Sequence, residues 1–168
     1  MNSPKDDCVI EMPWLKWNRD DLLSYMYDHK KYWSGSNGLF FRPKENHPIF
    51  QKLINQLKEF NVDITRSLYG KLEPGELLPP HVDPGREAGL YFPLLGNFNE
   101  SPVIFNKDNK GTIDKKYAEY SHVYNCPTVI NASKIHYVEN NSNQERITFT
   151  LSFIGLSWKQ VQILNSKK

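Results

Sequence analysis

Residues 146–153 read Arg-Ile-Thr-Phe-Thr-Leu-Ser-Phe. Arg146, Thr148, Thr150 and Ser152 alternate with Ile147, Phe149, Leu151 and Phe153, so one side of an extended strand is wholly polar and the other wholly large and apolar. A strand of this kind needs two different neighbours. Its apolar side is expected to pack on helices, and its polar side to line a wet cavity. The cation in the polar row adds a requirement. A buried guanidinium needs an acceptor, and Thr148, Thr150 and Ser152 carry no negative charge, so the missing anion is a candidate ligand.

Upstream of this stretch the period of two persists in short runs separated by turn residues: 64–71, 77–83, 90–95, 103–106, 122–125, 128–131 and 136–139, with the last run reaching 154. Two helices are expected before them. Asn18 can cap the first, from about Arg19 to His29, with Asp20 and Asp21 in its first turn and Leu22, Leu23, Met26 and Tyr27 as its apolar face. Pro48 opens the second, where Ile49, Phe50, Leu53, Ile54, Leu57 and Phe60 recur at helical spacing. Helices followed by strands predict an α+β, mainly β architecture: a rolled double sheet backed by the helices. The expected organisation is a single domain over 1–168, with helical support in 1–61, the β core in 62–155 and a C-terminal tail in 156–168.

Composition narrows the class. The chain has 168 residues, 39% hydrophobic and 13% aromatic, which is far from the aromatic-poor signature of disorder. Its 21 Lys and Arg against 19 Asp and Glu leave a net charge of +2 with no basic cluster, so binding to nucleic acid is not supported. The longest apolar stretch, Leu90 to Leu95, is far below the ~20 residues of a membrane span, and the first residues lack the apolar core of a signal peptide. The expectation is a soluble cytoplasmic protein with no membrane partner. Cys8 and Cys126 lack metal spacing and are expected as reduced thiols, and the sequons at Asn99, Asn131 and Asn140 carry no weight in that setting.

The chemistry-bearing residues lie in two segments. The first is Pro79-Pro80-His81-Val82-Asp83-Pro84-Gly85, where His81 and Asp83, two apart on a strand, present an imidazole and a carboxylate to one side. That is two thirds of a two-histidine, one-carboxylate metal face, although a structural His-Asp pair uses the same spacing. The second runs from His136 to Arg146. His136 can complete the face from a neighbouring strand, and an antiparallel return across the polar turn at 140–144 is expected to bring Arg146 back beside it.

The pattern His81-x-Asp83, His136 and Arg146, followed by the alternating strand, resembles the iron(II) and 2-oxoglutarate-dependent dioxygenases. Within them, Leu72-Glu73-Pro74-Gly75-Glu76-Leu77-Leu78-Pro79-Pro80-His81 is most similar to the aspartyl/asparaginyl hydroxylase group. The resemblance covers roughly Tyr69 to Gly155. It implies a double-stranded β-helix, the jelly-roll or cupin-like barrel, with His81, Asp83 and His136 as iron ligands and catalytic centre. It further implies that Arg146 and Thr148 hold the distal carboxylate of 2-oxoglutarate, with O2 as the other cosubstrate and ascorbate as a supporting reductant. The implied activity is hydroxylation of an amino-acid side chain, in a polypeptide or a small molecule, with release of succinate and CO2. Asp83 departs from the animal aspartyl hydroxylases, which lack the metal carboxylate, and so do Leu90 to Leu94, where those enzymes place basic side chains. Arg86 is the nearest basic residue but sits too early to be equated with them.

Other residues carry weaker signals. Tyr91 and Tyr69 are candidates for the cavity, though packing is the commoner role of a strand tyrosine. His29, His47 and His122 are expected on the surface or in loops. Trp14, Trp17 and Trp33 read as packing residues, and 108–120 reads as a solvated loop that could act as a lid. The rival function is a cupin-like metal-binding module without oxygenase activity.

Overall fold

The computed structural model describes residues 7–35, 38–43, 47–106 and 116–168. In chain order its elements are β1 (Val9–Glu11), α1 (Arg19–His29), β2 (Leu39–Phe41), α2 (Pro48–Gln56), β3 (Val62–Leu72), β4 (Leu77–His81), β5 (Ala88–Leu95), β6 (Val103–Asn106), β7 (Lys116–Tyr120), β8 (Thr128–Asn131), β9 (His136–Glu139), β10 (Arg146–Phe153) and α3 (Trp158–Asn165). Six strands form one antiparallel sheet in the order β1-β8-β5-β10-β3-β2, and four form a second in the order β4-β9-β6-β7. From β3 onward the chain steps from one sheet to the other and back, only β6 and β7 remaining in the same sheet. That winding makes a double-stranded β-helix.

Strand β10 lies at the centre of the larger sheet, between β3 and β5. Register explains why its two sides differ. Phe149 sits opposite Tyr69 on one neighbour and Phe92 on the other, and all three are fully buried in the core beneath the helices. Their rings pack at 4.6 Å and 5.7 Å from Phe149, with Phe50 of α2 at 5.2 Å. Burying a side chain of this size contributes roughly 2–3 kcal/mol. One residue along, Thr150 sits opposite Leu68 and Tyr91, and Thr148 opposite Gly70 and Pro93, facing the interior between the sheets. The alternation in 146–153 therefore partitions core from cavity as expected.

The helices follow their local signals. The Asn18 side chain accepts hydrogen bonds from the backbone N–H groups of Asp20 and Asp21, and α1 buries Leu22, Tyr25 and Met26. Tyr25 takes the place expected of Tyr27, which is half exposed, because residues 22, 25 and 26 share one face. Helix α2 stops at Gln56 and gives way to a 3-10 turn over Lys58–Phe60, which still buries Leu57 and Phe60. Asn61, with φ of 45°, ends it.

Several elements depart from the sequence reading. Residues 122–125 form a turn, not a strand. Strands β1, β2 and β7 were not expected: the first two have three residues each, too few to show a period. Residues 158–165 of the expected tail are helical, capped reciprocally by Ser157 and Gln160 and anchored by the buried Val161. Of the expected loop at 108–120, residues 108–115 lie outside the described residues, and 116–120 are β7. Both cysteines are free. Asn131 and Asn140 are buried and hydrogen-bonded to backbone. No helix among the described residues is long and apolar enough to cross a membrane.

Candidate metal centre

His81 ends β4, and His136 begins β9 directly opposite it. The β4 register shifts between Leu78 and His81, across Pro79 and Pro80. Proline cannot donate to the ladder, and the irregularity changes the facing of the strand, so that Leu78 and His81, three apart, both reach the cavity. The two imidazole rings lie 4.5 Å apart. Each is oriented by its own chain: His81 Nδ1 lies 2.7 Å from the Pro79 carbonyl and His136 Nδ1 lies 2.9 Å from the Lys134 carbonyl. With each Nδ1–H donated to a carbonyl, the neutral tautomer leaves the Nε2 lone pair free, the arrangement that metal-binding histidines use.

Asp83 does not sit on the strand, as a spacing of two implied, but just past its end, in a turn closed by Gly85 with φ of 77°. Its backbone N–H is held by the Ala132 carbonyl at 3.0 Å. Its Oδ1 lies 3.6 Å from His81 Nε2, and potential ligand atoms of His81, Asp83 and His136 all fall within 4.8 Å of one another. The other oxygen is occupied. Arg86 donates Nη2–H at 2.6 Å and Nε–H at 3.0 Å to Asp83 Oδ2, and its Nη1 bonds the Ser152 hydroxyl. Gly89 makes room for this guanidinium, since a Cβ there would stand 3.2 Å from Arg86 Cζ.

Electrostatics follow from this packing. Burial opposes charge on Asp83, but the hydrogen bond to His81 and the Arg86 cation outweigh it and hold the carboxyl far below the usual carboxylate range. Burial pushes His136 down to about 4, with Asp83 opposing. At His81 burial also favours the neutral ring, yet the contacts with Asp83 and the Pro79 carbonyl raise its pKa overall. Near neutrality the cluster thus contains a fixed carboxylate and a neutral His136. Two imidazoles and a carboxylate on one side of a cavity suit a first-row divalent metal and leave its remaining positions open. The donor set fits iron(II).

The cavity has a volume of about 390 Å³. Leu78, Val103, Ile130 and Val138 supply apolar wall, and Tyr91, Thr148, Thr150 and Arg146 the polar positions. Arg146 is 5% exposed, donates Nε–H to the Ser101 carbonyl at 3.2 Å and places its guanidinium carbon 5.2 Å from the Phe98 ring centroid. Among the described residues no carboxylate bonds it. Burial pulls its pKa down to about 10, with Tyr91 acting the other way. Tyr91 Oη lies 3.5 Å from Asp83 Oδ2, at the limit of hydrogen bonding, and burial and then Asp83 raise its pKa.

Four expectations change. Arg146 is not beside the histidine strand, because β9 and β10 belong to different sheets; it faces the same cavity from across the barrel. Tyr69 belongs to the core, its hydroxyl donating to the Leu22 carbonyl at 3.0 Å. His122 is buried, with neither ring nitrogen partnered among the described residues, and burial followed by the nearby Arg146 cation keeps it neutral. Arg86 emerges as the partner of Asp83. The signal for it was present in the sequence as a cation three residues after the carboxylate across a Pro-Gly turn.

Compared by sequence, the chain matches no family model and no curated protein. Compared by structure, it resembles the viral collagen prolyl hydroxylase of Paramecium Bursaria Chlorella virus-1, solved as a 2OG complex, with a TM-score of 0.62 at 12% identity over 89% of this chain and 96% of that one. A prolyl hydroxylase from Trichoplax adhaerens, solved with a hypoxia inducible factor peptide fragment, gives 0.64 at 10% identity over 92% and 86%. HygX from Streptomyces hygroscopicus, solved with nickel and 2-oxoglutarate bound, gives 0.62 at 8% identity over 91% and 86%. The chain shares its double-stranded β-helix fold with these solved structures.

Proposed function

We propose that this chain is an iron(II)- and 2-oxoglutarate-dependent dioxygenase that hydroxylates an amino-acid side chain, with the aspartyl/asparaginyl hydroxylase group as its nearest kin. One observation carries the reading: a two-histidine, one-carboxylate cluster and a buried arginine bonded to no described carboxylate face the same cavity. In this reading His81, Asp83 and His136 hold the metal. Arg146 receives the distal carboxylate of 2-oxoglutarate in a charge-assisted contact that fixes angle as well as distance, and Thr148, on the same side of β10, adds a hydroxyl. Tyr91 walls the site beside them. Arg86 occupies Asp83 Oδ2, so that Oδ1 alone faces the histidines. The apolar wall limits water around the reacting groups.

Iron(II), when bound with 2-oxoglutarate and O2, supplies the oxidation that converts a substrate C–H to C–OH as 2-oxoglutarate becomes succinate and CO2. The protein orients the reactants and excludes water. Purified protein supplied with iron(II), ascorbate and 2-oxoglutarate is expected to form succinate slowly without prime substrate. Anaerobic addition of 2-oxoglutarate to the iron-loaded protein is expected to produce the metal-to-ligand absorption band. Metal binding without either response would favour the cupin-like module instead. Absence of metal binding, together with 2-oxoglutarate affinity unchanged in Arg146→Ala, would sink both the metal and the cosubstrate assignments.

A further inference from the structure

Three hollows meet at Arg42 and Leu68. One is the metal pocket. The second, about 530 Å³, runs away from it over Phe40 toward Tyr25, His29 and Tyr32. The third, about 390 Å³, takes in Arg66 and Pro84 and shares Asp83 and Arg86 with the metal pocket. Because all three share Arg42 and Leu68, they make one continuous trough joined to the metal pocket. A compact metabolite needs only the pocket. A trough continuing beyond it suits an extended chain that lowers one side chain into it.

The two ends of the trough differ in chemistry. Arg42 is exposed, and among the described residues its guanidinium bonds only the Thr65 carbonyl, at 2.9 Å. Arg66, with 52% of its side chain exposed, makes a loose 3.8 Å ion pair with Asp63 and reaches the Gly85 carbonyl at 3.3 Å. The acid lining it, Asp83, is already neutralised by Arg86. Net positive charge therefore lines the centre and one end. At the other end Tyr32 is half exposed and stacks at 6.1 Å on His29, which stacks in turn on Tyr25 at 4.1 Å. These rings offer an aromatic shelf, with the Lys31 ammonium 5.2 Å from the Tyr32 ring centroid.

We propose that the trough binds an extended acidic polypeptide segment, its carboxylates on Arg42 and Arg66, an apolar or aromatic side chain on the Tyr32–His29 shelf, and the residue between them lowered toward His81, Asp83 and His136. The assignment of that residue as the one hydroxylated rests on the oxygenase reading of the pocket. Polypeptide fits better than nucleic acid, because two arginines in the trough and a net charge of +2 make a poor track for a phosphate backbone.

The test uses the full chain loaded with manganese(II) and 2-oxoglutarate without O2. Fluorescent peptide pools, each built on a Gly/Ser background with one Phe, carry Asp and Glu, Lys and Arg, or no charge. The acidic pool is expected to bind about tenfold more tightly than the basic pool at low salt, with the gap narrowing as salt rises. Arg42→Glu with Arg66→Glu should reverse the order, while Tyr32→Ala should weaken every Phe-bearing pool and preserve it. Equal binding of acidic and basic pools, a single-stranded oligonucleotide outcompeting the acidic pool, or stimulation of succinate release by free amino acids alone would overturn the proposal. Succinate release by the iron-loaded, unaltered protein without peptide separately reports on the pocket, so failure of the trough and failure of the oxygenase reading are distinguishable.

Discussion

Arg146→Met is expected to make the protein more stable without 2-oxoglutarate and less stable with it. The guanidinium is 5% exposed, and burial lowers its pKa from 12.5 to about 10. A cation whose folded pKa lies below its unfolded value costs stability at every pH where it is charged in both states. At about 1.4 kcal/mol per pH unit, the cost near neutrality is about 3 kcal/mol. Methionine removes that cost and can still pack on Phe98, but it strands the Ser101 carbonyl now bonded at 3.2 Å, a loss of about 1–3 kcal/mol. The net gain is about 1 kcal/mol, a rise in Tm of about 2–4 °C for a chain of this length. Saturating 2-oxoglutarate, at about 100 times its Kd, should add about 2.7 kcal/mol to the unaltered protein and almost nothing to the variant. Differential scanning calorimetry with manganese(II), with and without 2-oxoglutarate, should therefore show the two proteins exchanging rank. An Arg146→Met variant that melts lower without ligand would mean that the arginine is a structural cation satisfied inside the fold. An equal shift of both proteins by 2-oxoglutarate would refute the anion site.

Other perturbations test the remaining assignments. Asp83→Ala should abolish manganese(II) binding in calorimetric titration and, by leaving Arg86 buried without its carboxylate, cost about 3–5 kcal/mol in urea unfolding. Adding Arg86→Met to it should recover much of that stability and none of the metal binding, a coupling that a double-mutant cycle measures. Phe149→Ala, at a fully buried position ringed by Tyr69, Phe50 and Phe92, should cost about 3–5 kcal/mol by the same unfolding measurement. Cys8 is fully buried, and burial, partly offset by Lys134, pushes its thiol up to about 11, so at pH 8 only about a thousandth is thiolate. Mass spectrometry after native alkylation should find Cys126 labelled and Cys8 intact.

The parts of the fold that were legible in the sequence are those where one physical signal acts without competition. Strand β10 is flanked on both sides, so its alternation had to match one core face and one cavity face, and the register bears this out. The bounds of helix α1 were legible because a side-chain cap, first-turn acids and an apolar stripe coincide at Asn18 to His29, although Tyr25 rather than Tyr27 completes its buried face. Strands β1 and β2 were not, because three residues show no period and their extended shape depends on the sheet edges they join. The segment at 122–125 reads as a strand because Val123 and Tyr124 are β-formers. There a turn closed by the Cys126 N–H on the Val123 carbonyl prevails, with Asn125 in the left-handed region.

At the site, spacing picked out side chains that the structure does bring together, through partly wrong geometry. His81 and Asp83 converge because a proline-induced irregularity re-aims the histidine and a Pro-Gly turn folds the aspartate back, not because they share one strand face. The same turn delivers Arg86, whose role no period-two argument could reveal, since it is set by the Ser152 hydroxyl and by a glycine on the adjoining strand. Arg146 shows the limit from the other side. Its alternation told that it faces inward, but local sequence does not specify which sheet lies across the cavity. Only the crossing from β9 in one sheet to β10 in the other sets its cation opposite the histidines instead of beside them. That separation matters chemically. Arg86 already takes Asp83 Oδ2, whereas Arg146, across the cavity and bonded to no described carboxylate, is open to an anion that enters it.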